Sequence, residues 1–262
     1  MNITHDSYYT IGSTHQYCQD YADSGAYNEF VYACISDGCS SSKDSDIGAR
    51  WLCKSFPLDQ IISKEGQKTE DELVQSIRCA YPSGIFGQQS LDATLLGLVY
   101  DKTSDQLRIY AWGDGQIHLK YKDGRAINYS ISYKSNAPYY LSYRLSDKTA
   151  QYEKEFGLDY AVVKEIDREV ETSFFACKNF FKVVENASKT LDFAAVMSDG
   201  IESFMFPLSL NKQLVQNEFL NFKSLNGEFV KRRFQGFKRF CARESVSYHD
   251  DLSLAAISFV DS

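Results

Sequence analysis

Two apolar runs in this chain of 262 residues end on the same three letters. Val31–Cys39 reads V-Y-A-C-I-S-D-G-C, and Phe193–Gly200 reads F-A-A-V-M-S-D-G. Each run suits a strand buried on both faces, and each stops on an aspartate in an Asp-Gly turn. A third run, Leu252–Val260, is entered from its other end by Asp250-Asp251. Nothing else in the sequence restricts the fold as much. Three strands far apart in sequence each set a carboxylate at one end of a sheet. Singly, Asp-Gly after a strand is a common turn, but ordinary turns have no reason to converge. Converging carboxylates need a counter-charge, and hard divalent cations such as Mg²⁺ and Mn²⁺ take several oxygen ligands.

The remaining segments are read from their periodicity and turn residues. Tyr8–Gly12 reads as a first strand. Ser13–Asp23 is polar, holds His15, Gln19, Asp20 and Asp23, and by composition alone is a solvated loop. Gly38 is expected to let the backbone approach a ligand closely. Ser45 or Asp46 is placed to cap a helix that should end before Pro57. Thr69 and Glu72 form a capping box for a second helix through about Ala80, broken by Pro82-Ser83-Gly84. Ala93–Tyr100, Leu107–Trp112, Ile117–Tyr121 and Arg125–Ile131 read as a four-stranded meander. Gly113-Asp114-Gly115 and Asp123-Gly124 would be its tight turns. Ser135–Tyr143 is an aromatic loop. Glu165–Phe175 alternates like a strand, and Cys177–Ala187 is either helix or loop. Leu208–Phe222 and Glu228–Cys241 have helical spacing. The second is strongly basic, with Lys231, Arg232, Arg233, Lys238, Arg239 and, just beyond it, Arg243, and a solvated helix face is its default explanation. The expected fold class is α+β: a sandwich of two mainly antiparallel sheets with helices outside, forming a single domain over residues 1–262.

Charge and motifs narrow the chemistry. Thirty-five Asp and Glu against 28 Lys and Arg give a net charge of −7, which argues against a nucleic-acid binder. No apolar run approaches the roughly 18 residues that span a membrane. The first residues have neither the basic start nor the apolar stretch of a secretory signal, so a cytoplasmic location is expected. Seven scattered cysteines, among them Cys34, Cys53, Cys79 and Cys177, form no C-x-x-C pair and read as buried reduced thiols. Neither G-x-S-x-G nor G-x-x-x-x-G-K-[ST] occurs, which disfavours a serine hydrolase or a P-loop NTPase. Asp37, Asp199 and Asp250 are therefore the core constellation. Two hard metals sharing a carboxylate can hold a hydroxide and clamp a phosphoryl group for in-line attack, with no Cys or Ser nucleophile.

In their order along nearly the whole chain, these motifs resemble the metal-dependent serine/threonine protein phosphatases of the 2C type, especially their compact bacterial branch. Gln19-Asp20 is similar to the family's early E-D pair, and Ser36-Asp37-Gly38 to its strand-D-G motif. Asp92-Ala93-Thr94 stands for G-[ST]-T. Trp112-Gly113-Asp114-Gly115 resembles G-D-S, Ser198-Asp199-Gly200 matches S-D-G, and Asp250-Asp251 stands for the closing D-N. The resemblance implies a four-layer α-β-β-α sandwich with two Mn²⁺ or Mg²⁺ ions at one edge. It implies that Asp37 bridges both metals, that the Gly38 carbonyl binds one, and that Asp199 and Asp250 bind the other. Asp20 would act directly or through water. A metal-bridging hydroxide would then attack phosphoserine or phosphothreonine in a phosphorylated protein substrate. A cognate Ser/Thr kinase or its targets would be the wider partners in signalling, with neither nucleic acid nor membrane involved.

The chain also departs from the family pattern. Cys39 stands where the family often has a histidine, a suggested general acid. His15 falls near the place of the phosphate-gripping arginine, so phosphate binding is either weakened or uses His15 as its contact. Ile131-Ser132-Tyr133 occupies the position of an aspartate for a third metal. The aromatic loop Asn136–Tyr143 is expected to reshape the substrate entrance. His249, beside Asp250, could replace the missing proton donor, although an exposed loop histidine is its default reading. The missing Arg and His together leave a second hypothesis, a catalytically weak, phosphatase-like regulatory binding module. A metal-dependent nuclease is a third, supported only by the basic segment Lys231–Arg243.

Overall fold

Seven strands build one sheet and five another, and every neighbouring pair is antiparallel. The computed structural model describes residues 2–62, 75, 86–145, 148–156, 160–165, 170–175 and 181–260. In chain order, β1 (Asn2–Thr10), β2 (Asp20–Tyr27) and β3 (Phe30–Asp37) precede helix α1 (Ser45–Ile62). Then come β4 (Leu95–Asp101), β5 (Gln106–Trp112), β6 (Gly115–Tyr121), β7 (Ala126–Tyr133) and helix α2 (Lys148–Phe156). β8 (Tyr160–Glu165), β9 (Val170–Phe175), β10 (Phe181–Asn186), β11 (Leu191–Met197) and β12 (Phe204–Met205) follow. Helices α3 (Lys212–Phe219) and α4 (Phe229–Glu244), then β13 (Ser247–Tyr248) and β14 (Leu252–Val260), complete the chain. The sheet orders are β1-β14-β11-β6-β7-β8-β9 and β10-β5-β4-β3-β2, with a small β12-β13 ribbon beside them.

The pleat explains why β3 and β14 are mostly apolar on both faces. In β3, Val31, Ala33 and Ile35 face the second sheet, while Cys34 faces α1. In β14, Ala255, Ile257 and Phe259 join the same inter-sheet core, while Leu252, Leu254 and Ala256 pack beneath α3 and α4. Both faces are covered, so no polar alternation remains. α1 buries Ala49, Leu52, Cys53 and Phe56, a stripe at helical spacing, against the five-stranded sheet. α4 buries Val230, Phe234, Phe237 and Cys241 against the seven-stranded sheet. The α-β-β-α layering read from the sequence is the observed one.

Several local expectations change. α1 runs through Pro57 instead of ending before it. Proline lacks the N–H that would bond the Cys53 carbonyl one turn back, and the Cys34 thiol donates to that carbonyl instead, at 3.4 Å. Ser45 begins this helix, but its hydroxyl donates to the Cys39 carbonyl at 2.8 Å rather than capping. The expected four-stranded meander is two hairpins in different sheets. β4 pairs with β5, β6 pairs with β7, and Gly113-Asp114 carries the chain across between them, with Gly113 at φ +88°. The polar stretch read as a loop ends in a strand, since β2 begins at Asp20. The alternating segment Glu165–Phe175 contributes the end of β8 and all of β9, and the ambiguous segment Cys177–Ala187 contains β10. The expected helix from Thr69 to Ala80, apart from Gln75, its break at Pro82-Ser83-Gly84, and Cys79 and Cys177 lie outside the described residues.

Candidate active site

The strand ends deliver their aspartates to one edge of the sandwich. Asp20 opens β2 and Asp37 closes β3, and the two are directly opposite in register. Asp199 follows β11 and Asp250 precedes β14, adjacent strands of the other sheet. A pocket of about 270 Å³ is lined by His15, Asp37, Gly38, Asp199 and Asp250 from the expected set, joined by Asp114. Asp20 is buried behind this lining, 3% exposed.

The serine and glycine of each Ser-Asp-Gly unit set the geometry. Ser198 Oγ donates to Asp20 Oδ2 at 2.7 Å and accepts the Ser253 N–H at 3.0 Å, tying the two sheets together behind the pocket. Ser36 Oγ donates to the Thr94 carbonyl. Thr94 also accepts the Asp37 N–H on its hydroxyl at 3.0 Å and donates its own N–H to the Asp37 carbonyl at 2.8 Å. Asp37 is thus held by its backbone, leaving its carboxylate for the pocket. A Cβ on Gly38 would lie 2.8 Å from the Ser45 carbonyl oxygen, and one on Gly200 would lie 1.8 Å from that of Asp251. The glycine in each unit therefore admits another backbone segment. At position 38 that segment is the start of α1, so the expected close approach of a ligand is not what excludes a side chain there.

Burial and mutual repulsion raise every carboxyl resolved at this edge. Asp37 stands well above the ordinary carboxylate range, from desolvation first and then from Asp20 and Asp199. Asp199 is raised by desolvation and by Asp250 and Glu202, against a hydrogen bond from Asp37. Burial and Asp251 push Asp20 to about 7, against the hydrogen bond it accepts from Ser198. Asp114 also reaches about 7, through desolvation and the Asp199 charge. Asp37 lies between the other two, within hydrogen-bonding reach of both Asp20 and Asp199.

Among the described residues, no three His, Cys, Asp or Glu side chains form a ready-made ligand set around one point. The carboxylates adjoin in pairs, Asp20 with Asp37 and Asp37 with Asp199. The fit to a metal rests on donor chemistry. Asp20 Oδ1 and Asp199 Oδ1 are buried without a hydrogen-bond partner, the donors are mostly oxygens, and the clustered acids repel one another. Those are the needs a hard cation meets.

His15 is the imidazole of the pocket, set against two acids. Its Nδ1 lies 3.1 Å from Asp251 Oδ1 and its Nε2 3.5 Å from Asp250 Oδ1. Burial would lower its pKa, but Asp251, Asp250 and Asp20 outweigh burial and raise it. Asp251 itself is 1% exposed and accepts the N–H groups of Gly12 at 2.7 Å and Gln19 at 2.6 Å. It anchors the loop that carries His15, while Asp250 faces the pocket. His249 is exposed and stays outside the lining, which agrees with the default reading. Cys39 lines the pocket with a lowered pKa, where hydrogen bonds from Ser41, Tyr140 and Ser42 overcome burial.

Asn136, Pro138 and Tyr140 of the aromatic loop form one wall of the pocket. The loop's tether is Asp92, which is buried and was assigned only to a motif position. Asp92 accepts hydrogen bonds from Ser142 at 2.6 Å, Ser42 at 3.0 Å and Lys148 at 2.9 Å. Asp114 is the acidic site residue the sequence reading missed. It sat inside a glycine turn, and the signal that could have found it was its place in the G-D-S-like segment. Ile131, by contrast, is buried in the inter-sheet core.

The profile of the protein phosphatase 2C family matches residues 12–247. No curated protein matches the chain by sequence. Among solved structures, the S. agalactiae serine/threonine phosphatase superposes with a TM-score of 0.58 at 14% identity, covering 99% of this chain and 100% of that one. RsbX in complex with magnesium gives 0.53 at 12% identity, covering 98% and 94%. The phosphatase domain of SpoIIE from Bacillus subtilis, with a fragment of its regulatory domain, gives 0.56 at 12% identity. That match covers 98% of this chain, which spans 63% of the SpoIIE chain. At such identities the likeness is one of fold.

Proposed function

We propose, because this chain belongs to the protein phosphatase 2C family, that it hydrolyses phosphoserine and phosphothreonine in protein substrates with two bound divalent ions, Mg²⁺ or Mn²⁺. One observation carries the reading: Asp37, Asp199 and Asp250, from three separate strands, line one pocket with Asp20 behind them. The likeness to a magnesium-bound phosphatase fold agrees with it.

In this reading Asp37, the Gly38 carbonyl, Asp199 and Asp250 would hold the ions, with Asp37 central among them. Asp20, fixed by Ser198, steadies Asp37 and any water beside it, and Asp114 adds a carboxylate near Asp199. The ions, when bound, supply the charge that lets these acids ionise together and the activation of the attacking water. His15 contacts the phosphoryl group, and Asp250 and Asp251 hold its ring in place and favour its protonated form. Tyr140, Pro138 and Asn136 position the peptide and exclude water from one side. Residues 1–262 act as one phosphatase domain, in signalling that a Ser/Thr kinase opposes. No observation favours the binding-module alternative.

The test is hydrolysis of an aryl phosphate and of a phosphoserine peptide with Mn²⁺, with Mg²⁺ and with EDTA. Both activities should require metal, and Asp37→Asn should lower each by about a hundredfold or more. Full turnover in EDTA, or in Asp37→Asn, rejects the reading.

A further inference from the structure

A basic groove lies on the outer helices, on residues the phosphatase reading does not use. The groove, of about 490 Å³, is lined by Lys223, Arg232, Arg233, Arg239 and Arg243, with Glu218 as its only acid among the described residues. On α4, Arg232, Gly236, Arg239 and Arg243 follow one another at four-, three- and four-residue steps, so they share one stripe. Gly236 forms the floor of the groove. A Cβ there would come within 3.3 Å of Arg233 Nη2.

Glu218 is already committed, since Arg233 Nη2 donates to its Oε1 at 3.0 Å. Arg233 Nη1 donates to the Asn221 carbonyl, and its Nε is buried with no partner at all. Arg233 is 7% exposed, so its guanidinium is a desolvated cation in the wall of the groove. Lys223, Arg232 and Arg239 are exposed and make no ion pair among the described residues, whereas Arg243 pairs with its neighbour Glu244. On a chain of net charge −7, the unpaired cations Lys223, Arg232 and Arg239, gathered beside a buried guanidinium whose Nε has no partner, call for an anion.

We propose that this groove binds a short Asp/Glu-rich segment of a partner protein. The cations from Arg232 to Arg243 span about 16 Å along the helix. A single phosphate cannot reach across that distance, but about five extended residues can. The aromatic lining argues against nucleic acid. Phe222 packs edge-on against Phe193 and Phe229, and Phe240 stacks on Phe237 beneath the Arg243 guanidinium. The face of Phe240 on Phe237 and the face under Arg243 are already engaged, so they offer a base nothing to stack on.

The test uses the full chain in EDTA, so binding is scored apart from catalysis. The probe is a fluorescein-labelled peptide of five consecutive Asp and Glu residues between Gly-Ser flanks, followed by anisotropy at about 0.05 M salt. The wild type should bind it, and Lys223→Ala/Arg239→Ala/Arg243→Ala should weaken binding by about tenfold. Melting should confirm that this variant folds, and metal-dependent aryl phosphate hydrolysis should be unchanged. Gly236→Ala, which crowds the floor without removing charge, should also weaken binding. A peptide with Gln and Asn in place of the acids should not bind. Equal affinity in wild type and the triple variant overturns the proposal. So does binding that requires a phosphoserine in the peptide, or tighter binding of an oligonucleotide of equal charge that the triple variant also loses.

Discussion

At the scale of single residues, the unusual cost of this protein is its carboxyl cluster. A carboxyl whose folded pKa is raised contributes nothing below about pH 4, where folded and unfolded states are both protonated. As pH rises, the unfolded chain ionises first, so the folded state loses stability until its own pKa is passed. With Asp20 and Asp114 raised to about 7, the metal-free protein should become steadily less stable from about pH 4 to about pH 7. Asp114→Asn should therefore raise the melting midpoint in EDTA at pH 7.5 by several degrees, at about 2–4 °C per kcal/mol for a chain of this size, and should flatten that pH dependence. An unchanged midpoint and slope would count against the repulsion. His15 bears a separate prediction. If it grips phosphate, His15→Ala should weaken inhibition by inorganic phosphate about tenfold and leave kcat within a few-fold. A hundredfold loss of kcat with unchanged phosphate inhibition would instead make it the proton donor.

At the scale of elements, capping and tethering come from partners distant in sequence. Glu228, at the start of α4, makes no side-chain cap. Asp6 of β1 supplies it, with Oδ2 accepting the N–H groups of Val230 at 2.7 Å and Lys231 at 3.0 Å. Asp6→Ala should cost about 1–2 kcal/mol by chemical denaturation and Asp6→Asn clearly less, because an amide oxygen still accepts. Equal losses would remove the capping role. The aromatic loop depends similarly on Asp92. Asp92→Ala strands Ser142 and Lys148, costs about 2 kcal/mol, and should raise KM for a phosphopeptide more than for an aryl phosphate. These ties explain which elements were legible. β3, β11 and β14 are covered on both faces, so their apolar runs declare them, and α4 declares itself by its stripe. β2 was hidden because its polar residues are held from outside the strand, by Ser198 for Asp20 and by Lys54 for Asp23. α1 continued past Pro57 because a thiol from β3 met the orphaned carbonyl, which no local pattern encodes.

At the scale of the whole molecule, the pocket is a seam between the two sheets. Asp20 and Asp37 belong to the five-stranded sheet, Asp199 and Asp250 flank strands of the seven-stranded one, and Asp114 sits on the crossing between them. Repeated Ser-Asp-Gly letters revealed the strand ends, because a strand that stops on an aspartate is a local pattern. The crossing at Asp114 was not legible, because Gly-Asp-Gly reads equally as a hairpin turn within one sheet. Nor was the split of duties between Asp250 and Asp251, which depends on which way each side chain faces once Gly12 and Gln19 have packed against them. The seam has a global consequence. A ligand that binds only the folded state stabilises it by about 2.7 kcal/mol at a hundred times its Kd. At about 2–4 °C per kcal/mol, saturating Mn²⁺ should raise the melting midpoint by roughly 5–10 °C at neutral pH. Because the ions would join both sheets, Asp37→Asn and Asp199→Asn should each abolish most of that rise, although they lie in different sheets. A rise lost in one variant and intact in the other would mean that metal binds within a single sheet edge, and the bridging role given to Asp37 would fall.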